Sequence, residues 1–272
     1  MQHFSGSPMA LLHSLRQNRS LIGALIKREI VGRYKGSALG LVWSFVNPIL
    51  LLAVYTFVFS EVFKARWSGG VGSKTEFAVV LFSGLMIFNL FAECFNRAPG
   101  LVLSNANYVK KVVFPLEILP VVALGSALFH LMVSTVVWFL FFVLCMGLPP
   151  MTALLLPVAI LPLLMLALGM GWFLASLGVY LRDIAQFTGI VTTVLMFMSP
   201  VFYPITELPK GYQYMMLLNP LTPVIEQARE ILIWGHMPDW ILLGGYTAAM
   251  CLVAWLGFAW FQKTRKGFAD VL

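Results

Sequence analysis

The feature that most limits what this chain can become is its recurring apolar runs of roughly 20 residues, the length an α-helix needs to cross a hydrocarbon core. Runs at about 39–60, 76–96, 121–146 and 153–180 are long enough, one at 187–203 is short and interrupted, and a last one covers 241–262. Inside a bilayer only helices or closed barrels satisfy the backbone, and these run lengths are those of helices. With 60% apolar and 11% charged residues among 272, no polar block is long enough for an added soluble domain. The sequence therefore predicts an all-α membrane protein of one transmembrane domain, residues 1–272: an amphipathic segment at 1–38, six transmembrane helices over 39–262, and a tail at 263–272. The first long run begins near Leu39, too deep and too long for a cleaved signal peptide.

The net charge of +7 is spread over the ends of apolar runs, which argues against a nucleic-acid stripe. With both termini in the cytoplasm, the inner segments hold Arg16, Arg19, Lys27, Arg28, Arg33, Lys35, Arg97, Lys110, Lys111, Arg182, Lys263, Arg265 and Lys266. That leaves Lys64, Arg66, Lys74, Lys210 and Arg229 outside, the bias expected of a multi-pass chain with N-in, C-in topology.

Three regions do not read as spans. Leu21–Lys35 repeats Leu21, Ile22, Leu25, Ile26, Ile30 and Tyr34 at helical spacing among Lys27, Arg28, Arg33 and Lys35; such a helix is expected along the membrane surface, its apolar stripe in the acyl boundary. A simple anchor is the alternative. Asn96–Pro120 reads as a polar cytoplasmic connection long enough for one short helix. Tyr203–Trp240 follows Ser199-Pro200 and carries Pro204, Pro209, Pro220, Pro223 and Pro238 between apolar pieces too short to span. It is expected to form two short re-entrant helices before the last span, permitted only where protein or a water-filled cavity satisfies the broken backbone.

No Gly-Lys dipeptide occurs, so the chain has no phosphate-cradling P-loop and is not expected to hydrolyse ATP alone. Cys94, Cys145 and Cys251 lack the spacing of a disulfide framework or metal site, and no catalytic, metal or cofactor residues are assigned. Acidic residues fall near span ends or in loops, and His130 alone is placed in mid-span, as a hydrogen-bonded packing residue or a titrating functional group. A membrane-embedded enzyme would need paired carboxylates; Asp183 beside Arg182 and Glu93 near Arg97 come nearest, and both read as loop salt bridges. The first span is rich in aromatic residues, whose faces suit either helix packing or a lining for a sliding glycan.

The segment KREIVGRYKGSALGLVWSFVNPILLLAVYTFVFSEVFKAR, Lys27–Arg66, resembles the start of membrane subunits of ABC transporters that export polysaccharides, including O-antigen, capsule and teichoic acid. NANYVKKVVFPLEILP at Asn105–Pro120, VYLRDI at Val179–Ile184, SPVFYP at Ser199–Pro204 and NPLTPVIEQARE at Asn219–Glu230 extend the resemblance in order. Lys35–Gly40 and Phe63–Trp67 lean towards the O-antigen exporters. A permease for another glycan polymer, a small lipid or a drug is the alternative within transport.

The resemblance implies a homodimer in a bacterial inner membrane, enclosing a channel for a lipid-linked polysaccharide. Two copies of a separate ABC ATPase subunit would bind ATP and Mg and contact Arg28, Arg33, Tyr34, Tyr108, Lys110 and Lys111. Trp43, Tyr55 and Phe59 are the expected channel lining, and Pro204, Pro209, Asn219, Pro220 and Glu226 lie in the expected periplasmic gate over Ile205–Glu230.

Overall fold

The computed structural model of the chain describes residues 6–62, 67, 74–110 and 114–272; the described residues form helices and connecting turns, with no strand. In chain order the helices are α1 (Pro8–Gln17), α2 (Arg19–Tyr34), α3 (Trp43–Thr56), α4 (Lys74–Arg97), α5 (Ala106–Lys110), α6 (Leu119–Met146) and α7 (Leu156–Ala159). They continue as α8 (Leu161–Tyr180), α9 (Ile184–Phe197), α10 (Lys210–Leu217), α11 (Thr222–Arg229), α12 (Trp240–Thr264) and α13 (Phe268–Val271).

Five helical stretches are long and apolar enough to cross a membrane: Gly40–Phe59, Thr75–Gly100, Leu116–Met146, Met151–Tyr180 and Trp240–Val271. The apolar helix α9 has only 14 residues, about 21 Å of rise against a core of about 30 Å. It stops ahead of Ser199-Pro200 because a proline disfavours helical geometry in the residue before it. Its loose end is tied down locally: Ser199 Oγ donates to the Leu195 carbonyl at 2.6 Å and Tyr203 Oη to the Phe197 carbonyl at 2.7 Å, satisfying acceptors that a helix terminus leaves open.

Helix α4 is the axis of the bundle. Its Phe77–Met86 stretch, Ile87, Phe88, Leu90 and Phe91 are buried or nearly so, with α6, α8, α9 and α11 packed around it and α3 at its side. Hydrocarbon supplies little hydrophobic drive between helices, so close backbone approach matters. Helices α8 and α12 meet at Gly169 and Gly257, where a Cβ on Gly169 would lie 2.7 Å from the Val253 carbonyl oxygen and one on Gly257 would overlap the backbone of Gly169. Gly178 admits Pro99 in the same way. Between these contacts, Trp172 Nε1 donates to the Glu117 carbonyl at 2.9 Å.

The ends of the chain gather at one end of the bundle. Buried Glu117, just before α6, accepts from Ser14 of α1 at 2.7 Å and from Arg265, beyond α12, at 2.6 Å. Helix α2 forms where the spacing predicts it, and part of its stripe packs on protein: Leu25 is buried against Ile118 and Val122, flanked by partly buried Leu21, Ile22 and Ile26. The fit is made by Gly125 of α6, whose missing Cβ leaves room for the Ile26 side chain. Gly36 and Gly40, at φ +88° and +51°, turn the chain from α2 into α3, in a region of backbone space that glycine enters without a Cβ clash.

Gly257→Val should force α12 off the backbone of α8. A destabilisation of about 1–3 kcal/mol is expected, read as a lower unfolding temperature in detergent; an unchanged midpoint would show that the two helices separate without loss.

Candidate functional site

Polar side chains concentrate at the two ends of α4. At the end shared with α2, Glu93 of α4 stands at the meeting of three helices. Its Oε1 accepts from Arg33 of α2 at 2.5 Å and faces Arg97, one turn on, at 3.5 Å; its Oε2 lies 2.8 Å from Nδ1 of His130 on α6. Arg97 also pairs with Glu29 of α2, and the Tyr34 hydroxyl is 3.2 Å from Nε2 of His130. Partial burial, the largest influence on Tyr34, raises its phenol above the ordinary value, so it acts as a neutral hydrogen-bonding group. Glu93 is therefore part of an interhelical network in the last turns of a span, not of the loop salt bridge expected from the sequence, because the α4 helix continues past it to Arg97. His130 is hydrogen-bonded to Glu93 and Tyr34 and also lines the cavity described next, a placement that fits both of its sequence readings.

A cavity of about 440 Å³ opens beside this network between α3, α4 and α6. Asn89, Glu93 and Asn96 recur at helical spacing on its α4 wall; Asn47 and Ser44 come from α3, Ser134 from α6, and Arg33 and Tyr34 from the last turn of α2. Asn47, Asn89 and Asn96 are exposed, and Asn96 accepts from Thr192 of α9 at 2.9 Å. A polar stripe on the most buried helix of a membrane bundle marks a water-filled or ligand-facing surface, since lipid would not solvate it.

Of the residues assigned to ATPase contact, Arg28 and Tyr108 are brought together: Arg28 donates to the Tyr108 hydroxyl at 2.9 Å, and the Tyr108 ring stacks on Phe114 at 4.3 Å. Arg33 and Tyr34 contact Glu93 and His130, and half of the Arg33 side chain remains exposed. The side chain of Lys110 and all of Lys111 lie outside the described residues, as do Phe63–Arg66.

The other end of α4 carries the short helices. Arg229, last residue of α11, is 2% exposed. Its guanidinium donates to the carbonyls of Pro200 and of Val201 (2.8 Å), while Nε reaches the Val80 carbonyl on α4 at 3.4 Å; it pairs with Glu226 at 3.0 Å and lies over the Trp67 ring at 4.5 Å. Gly84 makes the room, since a Cβ there would sit 2.6 Å from an Arg229 nitrogen. The sequence reading counted Arg229 only among the basic residues outside the membrane; the available signal was a lone arginine beside Glu226 and Glu230 at the end of a proline-led short helix. Asn219 binds the Met198 carbonyl and Ser199 Oγ, both at 2.9 Å, and the Pro220 carbonyl accepts from Tyr246 of α12 at 2.5 Å. Pro204 and Pro209 precede the turn Ile205–Glu207 and α10. Of the five expected gate residues, Asn219, Pro220 and Glu226 are thus tied to the end of α9, to α12 and to Arg229, while Pro204 and Pro209 lie in the connection ahead of them.

Trp43 is partly exposed at the start of α3. Tyr55 and Phe59 are half-buried near its far end, in an aromatic cluster with Phe202 and Phe77: Phe59 stacks on Phe202 at 5.3 Å and Phe77 at 6.0 Å, and Tyr55 meets Phe202 at 5.9 Å.

A family model described as ABC-2 type transporter matches residues 20–233, and the chain belongs to that family. It is 26% identical to the O-antigen export system permease protein RfbA of Myxococcus xanthus over 96% of this chain and 98% of that protein. It is 24% identical to the O-antigen export system permease protein RfbA of Klebsiella pneumoniae, over 93% and 95% of the two chains. To the polysialic acid transport protein KpsM of Escherichia coli it is 26% identical, over 90% of this chain and 93% of that one.

Arg229→Ala would leave the Glu226 carboxylate and three backbone carbonyls without their shared donor. Removing one partner of a buried charged network costs about 3–5 kcal/mol, so the variant is expected to give a markedly less thermostable protein, and Gly84→Leu to resemble it. Wild-type thermal stability in both would show the socket to be dispensable.

Proposed function

We propose that this chain is the channel-forming subunit of an ABC exporter that carries a lipid-linked polysaccharide, O-antigen in particular, across a bacterial inner membrane to the periplasm. The observation that carries a transport role is the polar cavity between α3, α4 and α6, with Asn47, Asn89, Asn96 and Ser134 on its walls. A hydrated glycan cannot dissolve in hydrocarbon and needs such a protein-walled route. The cargo is read from the relatives, O-antigen export permeases and capsule-type polysaccharide transporters similar along nearly their whole length; capsule is the second reading on the same ground.

On this reading the chain is one domain that passes the membrane six times. The short α9 serves as the fifth pass, completed by the turn after it, and α10 and α11 are re-entrant helices in the outer leaflet. Both termini face the cytoplasm, which agrees with the bias of Lys and Arg. The α2 end of the bundle is then the cytoplasmic end, and the Arg28–Tyr108 pair, with Lys110 and Lys111, offers contacts to a separate ATPase subunit that supplies ATP and Mg chemistry. Two copies of this chain would face each other across the channel and carry two ATPase copies. Trp43, Tyr55 and Phe59 would offer ring faces on which successive sugars are exchanged, and the segment held by Asn219, Pro220 and Arg229 would close the outer end.

Purified alone, the chain should hydrolyse no ATP, and hydrolysis should depend on an added nucleotide-binding subunit; ATP turnover by the chain itself would overturn the subunit assignment. Tyr55→Ala/Phe59→Ala should lower surface polysaccharide several-fold at equal protein level, read by blotting. Unchanged export would mean that these rings serve only the packing with Phe202 and Phe77.

A further inference from the structure

The contacts that hold α2 to the bundle are of two kinds. Its first turns are seated by apolar packing of Leu25 and Ile26 on α6. Its last turns are held by ion pairs and hydrogen bonds, Glu29–Arg97, Arg33–Glu93 and Tyr34–His130, and there Arg33 and Tyr34 form part of the wall of the polar cavity. The second set is exchangeable. Arg33 is half exposed, so its pair with Glu93 is screened and weak, and Glu93 keeps Arg97 and His130 as partners if Arg33 departs. The contrast is with Glu117 and Arg265 at the same end of the bundle, whose side chains are only 9% and 13% exposed; that pair fixes the α1 and α12 ends in place. Gly36 and Gly40, both at positive φ, lie in the turn that joins the last turn of α2 to α3.

We propose that α2 slides as one rigid helix over its apolar seat on α6, which makes its last turn a movable wall of the cavity, and that Glu93 is the positioning residue that latches it shut. Displacement of α2 by the ATPase subunit releases Arg33 from Glu93 and Tyr34 from His130, opening the cytoplasmic mouth to cargo; Glu93 falls back on Arg97 and His130 until α2 returns. The latch rests on the exporter reading above, and it assigns Arg33 and Tyr34 an inward role in place of direct ATPase contact.

The test locks α2 in place away from the ion pairs. An ideal Cβ on Gly125 lies 2.8 Å from Cγ1 of Ile26, where a cysteine sulfur at position 26 would sit, close to the roughly 3 Å that an S–S bond of about 2.05 Å leaves between one sulfur and the facing Cβ. Ile26→Cys/Gly125→Cys, in a Cys145→Ser/Cys251→Ser background and reconstituted with the ATPase subunit, should lose at least ten-fold in glycan export when oxidised and regain it on reduction, with the ATPase still bound. Equal export from the oxidised and reduced complexes would overturn the latch, because a static staple tolerates a further link. Glu93→Gln provides a second reading without cysteines: it should raise the ATP hydrolysed per glycan exported several-fold, with the charge-keeping Glu93→Asp between it and wild type. An unchanged ratio in Glu93→Gln would equally overturn it. A reduced complex that binds the ATPase but moves no polysaccharide, with wild type doing the same, would overturn the exporter reading and the latch with it.

Discussion

The arrangement depends on one constraint, that a polar group inside a membrane bundle must find a partner or water. Helix α4 shows how that is met. Its Phe77–Phe88 stretch is buried and takes the centre of the bundle, while most of its polar residues gather towards the two ends, where other segments or the cavity reach them. At one end Glu93 and Arg97 are met by α2 and α6; at the other the Val80 carbonyl and the space left by Gly84 receive Arg229. Between Val80 and Glu93 lie about 20 Å of helix, so a single rigid element carries both the α2 contact and the α11 contact.

The two ends differ in how firmly they are held. Arg229 is enclosed by backbone carbonyls, an acid and an indole, an arrangement in which a buried cation is expensive to leave unpartnered. The Glu93 network is wetter and shares its partners among three helices. A transporter needs such inequality: elements that move are drawn from the less stable part of a structure, while the rest keeps the pathway from leaking. On the exporter reading proposed above, the firm end would suit a closed outer gate and the looser end would suit coupling.

Close helix contact supplies the remaining rigidity. Gly169 against Gly257, and Gly178 against Pro99, let backbones approach where side chains would hold them apart. Trp172 spans from α8 to the Glu117 carbonyl, so the packing of α8 is joined to the staple that gathers α1, the approach to α6 and the end of α12.

Much of this was legible in the sequence, because run length and proline position act locally. Among the described residues, five long apolar runs, the helix over Leu21–Lys35, a short helix after α4 and two short α-helices between Tyr203 and Trp240 appear where hydropathy and helix breakers put them. The early end of α9 is likewise written in Ser199-Pro200. What the sequence could not decide is which faces meet. The stripe of α2 does not say which helix it meets, and only the fold brings Leu25 onto Ile118 and Val122 and Ile26 into the space at Gly125. Arg229 reads as one of the basic residues outside the membrane until the Val80, Pro200 and Val201 carbonyls converge on it. Glu93, Arg33 and His130 stand 60 and 37 residues apart along the chain, and a pairing between helices at such separations is set by the packing of the whole bundle, to which no local pattern of residues responds.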